Sequence, residues 1–193
     1  RVHQVQQKLV PAVGGLPVRQ LHRPIGMGPI EVAVLVDALR LHPEAEAHAQ
    51  LVDLGAETLK AAKPILEQYG VTVMPEPLNV KVNHPGYYLT TASEAFDIIR
   101  EVDSPFVKVV YDIYHQQVTE GDIIPTVTKH LDLIAHLHSA GHPGRHDLWE
   151  GELNYKYIFD AIDKAGYTGA CGLEYGALGD PIESLKRAKA IYG

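Results

Sequence analysis

Four residues of metal-ligand type each follow a short apolar run, and each run reads as one buried strand. Glu76 ends VTVMPE, Asp112 ends FVKVVYD, His138 ends LIAHLH and Glu174 ends GACGLE. Successive ligands are 36, 26 and 36 residues apart, a rhythm of one strand–helix unit per ligand. Parallel strands that close into a barrel point their C-terminal ends at one mouth, so residues at successive strand ends converge there. Three carboxylates and one imidazole suit a divalent cation such as Mn²⁺ or Mg²⁺.

Taken singly, each residue has a plainer explanation. Glu76, between Pro75 and Pro77, fits a loop carboxylate or one facing a helix dipole. Asp112 fits a cap on the next helix. His138 alternates with His136 onto one face and fits a hydrogen-bonded structural histidine. Glu174 fits a surface turn. Four such residues at four strand ends are harder to explain by structure, because crowded carboxylates repel unless a cation or a proton compensates them.

Other residues add candidates around this set. His115 lies three residues beyond Asp112 and shares its side in the first turn of a helix. Substrate contact, metal ligation and capping are all open to it. The stretch HSAGHPGRHDLWEGELNY, residues 138–155, is unusually polar, and Gly141, Pro143 and Gly144 mark a loop. Arg145 can fork onto a carboxylate, phosphate or sugar oxygen. His142, His146, Asp147, Glu150 and Glu152 are further candidates, with a solvated loop as the alternative.

The elements that must position these groups follow from periodicity. Residues 32–36 read as a buried strand and 44–68 as a helix, with Pro43 at its start and Pro64 predicted to kink or split it. Strand 71–75 precedes Glu76. Ser93 reads as the cap of a helix carrying Ala95, Ile98 and Ile99. Strand 106–111, helix 122–132, strand 133–138, helix 155–165 stopped by Gly166, strand 169–173 and helix 181–192 complete the pattern. Strands alternating with helices mean a parallel sheet. Residues 31–193 thus read as one partial barrel domain of five βα units, and residues 1–30 as a loop-rich, unassigned segment. A closed eight-stranded barrel takes at least about 200 residues. The chain is therefore expected to lack the first strands of such a barrel or to begin in an altered form. Its first residue, Arg1, fits truncation or processing.

Composition narrows the class. At 193 residues, 46% of them hydrophobic, the chain is long enough for one domain with a sizeable core. A net charge of −7 disfavours nucleic acid as the main partner, since phosphate binding needs a basic surface. No apolar run reaches membrane-span length, and none reads as a secretory signal. The single cysteine, Cys171, excludes an internal disulfide framework and reads as a buried inert thiol. The expected location is the cytoplasm.

EPLN at 76–79, YDIYHQQVTEGD at 111–122, PGRHD followed by EGELNY, and GLEY at 172–175 together resemble the hydroxypyruvate isomerase family. That family is one of the xylose-isomerase-like barrels, which also include ketose 3-epimerases and endonuclease IV. The resemblance covers residues 44–193. It implies a TIM (β/α)8 barrel with Glu76, Asp112, His138 and Glu174 as metal ligands on strands five to eight. It also implies Glu76 and Glu174 as an acid/base pair, and His115 and Arg145 as substrate contacts. The implied reaction converts hydroxypyruvate to tartronate semialdehyde, with Mn²⁺ or Mg²⁺ as Lewis acid. Where the family carries an acidic residue soon after EPLN, this chain reads Val80, Lys81, Val82, Asn83, His84, so a substrate contact is expected to be lost or replaced by Asn83 or His84.

Three alternatives stand beside this reading. A sugar 3-epimerase would use the same four ligands. A repair endonuclease needs further ligands for a three-metal site, and Gly144 stands where one would be. A truncated, non-catalytic barrel would bind metal or a partner chain, and an open sheet edge at residue 32 would favour pairing with another copy.

Overall fold

The computed structural model describes residues 45–192. The expected strand 32–36, its open edge, Pro43 and the reading of residues 1–30 lie outside them. The described chain runs α1 (Ala45–Tyr69), α2 (Ala92–Val102), β1 (Val109–Asp112), α3 (Ile113–Thr119), α4 (Ile123–Lys129), β2 (Ile134–Ser139), α5 (Tyr155–Lys164), β3 (Cys171–Leu173) and α6 (Pro181–Tyr192). The three strands are parallel and adjacent in the order β1-β2-β3.

The expected strand 71–75 survives as a single parallel bridge between Val73 and Val107. Val73 N–H donates to Phe106, Lys108 N–H to Val73 and Val110 N–H to Pro75, so the segment lies where the sheet's next strand belongs. Pro75 has no N–H, and the ladder fails at the residue where the next donor is needed. The same prolines let Glu76 leave the sheet towards its mouth.

Register sets the functional row. Asp112 pairs with His138, and His138 with Gly172. Alternation then places Val110, Asp112, His136, His138 and Gly172 on one face. Helices cover the other face. Tyr111 there stacks on Phe96 of α2, with centroids 6.5 Å apart, and Ser139 Oγ meets the Tyr192 hydroxyl of α6 at 2.8 Å. Gly172 has no substitute in this row, because a Cβ would lie 2.9 Å from His138 Cδ2 and 3.1 Å from His136 Nε2.

The helices mostly follow the expected pattern. α1 runs unbroken through Pro64. α2 is capped by Thr91 rather than Ser93: Thr91 Oγ1 accepts from Glu94 N–H at 3.2 Å and its hydroxyl donates to Glu94 Oε2 at 2.8 Å. The cap thus lies two residues earlier than expected, with the T-x-x-E spacing of a capping box but with Glu94 returning to the Thr91 hydroxyl. Ser93 instead donates to Glu120 at 2.9 Å. Buried Ala92, Ala95, Phe96, Ile98, Ile99 and Val102 form the packed stripe of α2. Gly166, at φ 94°, takes the left-handed turn after α5 that a side chain would oppose. Cys171 is half-buried beside the Ser139 and Tyr192 hydroxyls, and burial pushes its thiol up, so it stays protonated and unreactive.

Candidate metal centre

Asp112 shows how one side chain serves both readings. It is fully buried at the end of β1 and is the N-cap of α3. Oδ1 accepts from Tyr114 N–H at 2.7 Å and His115 N–H at 3.1 Å. Oδ2 has no hydrogen-bond partner. A buried, unpaired carboxylate oxygen is costly unless something at that point compensates it.

Three other groups surround that point. One ligand atom from each of Glu76, Asp112, His138 and Glu174 lies within 4.8 Å of all the others. His138 Nδ1 stands 3.2 Å from Glu76 Oε1 and 3.0 Å from Glu174 Oε2. Burial lowers the basicity of His138, but hydrogen bonds to Glu174 and Glu76 and their charges carry it up to about 10. Asp112 is pushed up to about 7, by burial first and then by the Glu76 charge. Burial acts to raise Glu174, yet its hydrogen bond to His138 and the charges of His138 and Arg145 hold it below its usual value. Without a metal, a proton on His138, joined below about pH 7 by one on Asp112, therefore balances the carboxylates.

A divalent ion ligated by these atoms would replace both protons, and a ligand must be deprotonated to bind. Raising the pH removes the competing protons. Metal affinity is accordingly expected to rise with pH, by about tenfold per unit or more between about pH 6 and pH 8. Calorimetric titration with Mn²⁺ in buffers of different ionisation heat measures the protons released. An affinity independent of pH across that span would contradict proton–metal exchange.

The polar loop divides into distinct roles. Arg145, with left-handed backbone at φ 58°, reaches into the cluster: one terminal nitrogen lies 3.2 Å from Glu174 Oε2 and 4.0 Å from Asp112 Oδ2. Its guanidinium lies over the Tyr114 ring, 5.5 Å from the centroid. Asp147 faces away and is structural, accepting from Leu178 N–H at 2.8 Å and from the Ser184 hydroxyl. His146 Nδ1 sits 3.0 Å from the Gly176 carbonyl. Glu150 is exposed, and Glu152 pairs with His142 at 3.4 Å.

His115 is fully buried with Nε2 3.8 Å from Asp112 Oδ2, and burial together with the Arg145 charge lowers it to about 3, so it is neutral. His84 packs against it at 5.2 Å and is lowered by burial and Arg145, while Asn83 accepts from the Tyr114 hydroxyl at 2.8 Å. Asn79, Tyr114 and Gln116, all buried here, carried no separate signal in the sequence, although Asn79 belongs to the EPLN motif. Their partners around His115 and the site include groups 24 to 39 residues away, beyond any local periodicity.

A parallel sheet with helices on one face, and three carboxylates and an imidazole gathered at its strand ends, fits part of a (β/α) barrel with a candidate metal site. The chain belongs to the xylose isomerase-like TIM barrel family, whose profile matches residues 27–191. It is 40% identical over 119 residues to 2-oxo-tetronate isomerase of Cupriavidus necator, covering 62% of this chain and 45% of that protein. To hydroxypyruvate isomerase of Escherichia coli it is 37% identical over 130 residues, covering 67% of this chain and 48% of that protein. A crystal structure named AP endonuclease, family 2, from Brucella melitensis superposes with TM-score 0.71 at 32% identity, over 79% of this chain and 57% of that one. The chain spans about half the length of the curated relatives it matches. Among the described residues no helix is long and apolar enough to cross a membrane.

Proposed function

We propose that the protein is an isomerase of a small hydroxycarbonyl compound, working with a divalent ion held by Glu76, Asp112, His138 and Glu174. The observation that carries this reading is Asp112 Oδ2, a buried oxygen without a hydrogen-bond partner that faces three other ligands. The donor set of three carboxylates and one imidazole fits Mn²⁺ or Mg²⁺. Such an ion supplies Lewis-acid polarisation of the substrate's oxygens.

The protein's own groups then handle the protons. In the conversion of hydroxypyruvate to tartronate semialdehyde, one proton leaves the hydroxymethyl carbon and one arrives at the carbonyl carbon, while the hydroxymethyl oxygen gives up its proton and the former carbonyl oxygen gains one. Glu76 and Glu174 are the acid/base pair for these transfers, and a carboxylate oxygen of each lies within 3.2 Å of His138 Nδ1. His115 and Arg145 hold the substrate. The Arg145 guanidinium suits a carboxylate-bearing substrate, which favours a hydroxy-oxo acid over a neutral ketose. The isomerase names of the relatives support the same class.

An endonuclease reading, invited by the name of the Brucella melitensis structure, meets a chain of net charge −7. The test is turnover. Hydroxypyruvate is expected to be isomerised with added Mn²⁺, and chelation is expected to abolish the activity reversibly. Activity that survives exhaustive chelation would contradict the metal; activity on ketoses alone would turn the reading to the epimerase.

A further inference from the structure

We infer that Asn79 is a positioning residue that fixes the proton of His115 on Nε2 and so makes His115 a hydrogen-bond donor into the site. Backbone amides, which can only donate, fix the orientation of the Asn79 side chain. Backbone N–H groups of Val82 and Asn83 donate to Asn79 Oδ1, at 3.0 Å and 3.3 Å. That oxygen is therefore the acceptor end of the amide, and the Nδ2 end faces His115 Nδ1 at 2.6 Å. The backbone N–H of Asn79 donates to the same Nδ1 at 3.2 Å. With two donors aimed at it, Nδ1 holds a lone pair, and the ring proton of neutral His115 sits on Nε2.

Nothing in the described protein accepts that proton. Nε2 is buried and unpartnered, with Asp112 Oδ2 at 3.8 Å. A protonated Nε2 has no lone pair for a metal, so His115 is not a fifth ligand. It is poised instead to donate to an oxygen brought between it and Arg145. The tautomer stands on hydrogen bonds alone; its use on a substrate oxygen rests on the isomerase reading.

Asn79 is itself fully buried and fully engaged. Its Nδ2 also donates to Asn83 Oδ1 at 3.1 Å, and its carbonyl accepts from His84 N–H at 3.1 Å. One asparagine thus ties the 79–84 loop to the ring it orients.

Long-range ¹H–¹⁵N spectra of the imidazole rings in the full ¹⁵N-labelled chain test this, with and without Zn²⁺. The expected wild-type pattern for His115 is a bare Nδ1 and a protonated Nε2 in both states, while His138 loses its Nδ1 proton when Zn²⁺ is added. Asn79→Asp keeps the acceptor for Val82 and Asn83 but replaces the donor at Nδ1 with an acceptor. It is expected to put a proton on His115 Nδ1 and to lower kcat/KM for hydroxypyruvate by about tenfold, the worth of one hydrogen bond. A wild-type His115 with a bare Nε2, or one that gives up its Nε2 proton to Zn²⁺, would overturn the proposal even if the variant fails to fold. A wild-type chain without turnover would count against the isomerase reading, and the spectra would still decide the tautomer.

Discussion

Asp112→Asn is expected to lower affinity for Mn²⁺ by at least about 100-fold while leaving the fold intact. Asparagine caps helices as well as aspartate does, so Oδ1 can still accept from Tyr114 and His115. What disappears is the charge on the atom that meets the other ligands. In the metal-free protein above about pH 7 that charge is buried beside Glu76 and Glu174, and its removal is expected to leave the thermal midpoint unchanged or raised. Asp112→Ala removes cap and ligand together, and the cap alone costs about 1 kcal/mol. Calorimetric Mn²⁺ titration and thermal unfolding of both variants separate the two roles. Unchanged Mn²⁺ affinity in Asp112→Asn, with destabilisation confined to Asp112→Ala, would mean that Asp112 is a cap only.

Glu174→Gln is expected to reduce turnover of hydroxypyruvate by at least about 100-fold at saturating Mn²⁺, the contribution typical of one acid–base group. The amide keeps the size of the side chain and one oxygen. It cannot take up a proton, and it binds a cation more weakly than a carboxylate. Measuring at saturating metal removes the binding effect and leaves the proton-transfer effect. Near-full turnover there would remove Glu174 from the acid/base pair.

Much of this site was legible because buried parallel strands write themselves as apolar runs. The ends of those runs are the ends of the barrel strands, and Glu76, Asp112, His138 and Glu174 do meet in space. Asp112 also caps α3, so the plainer explanation and the functional one describe different oxygens of one carboxylate. Other details were illegible for physical reasons. Thr91 and Ser93 are both good caps, and only the three-residue spacing from Thr91 to Glu94 distinguishes them. Strand 71–75 has a strand's composition, but Pro75 removes the donor that would carry the ladder on. Asp147 sits among candidate ligands in sequence, yet its partners Leu178 and Ser184 lie more than 30 residues on and turn it into a structural anchor.

Crystals of the full chain grown with Mn²⁺, measured at the manganese absorption edge, locate the ion directly. The expected result is one anomalous peak about 2.0–2.6 Å from a carboxylate oxygen of Glu76, Asp112 Oδ2, His138 Nδ1 and a carboxylate oxygen of Glu174, with His115 outside ligand distance. A peak bound elsewhere, such as at His142 or His146, or none at a saturating concentration, would contradict it.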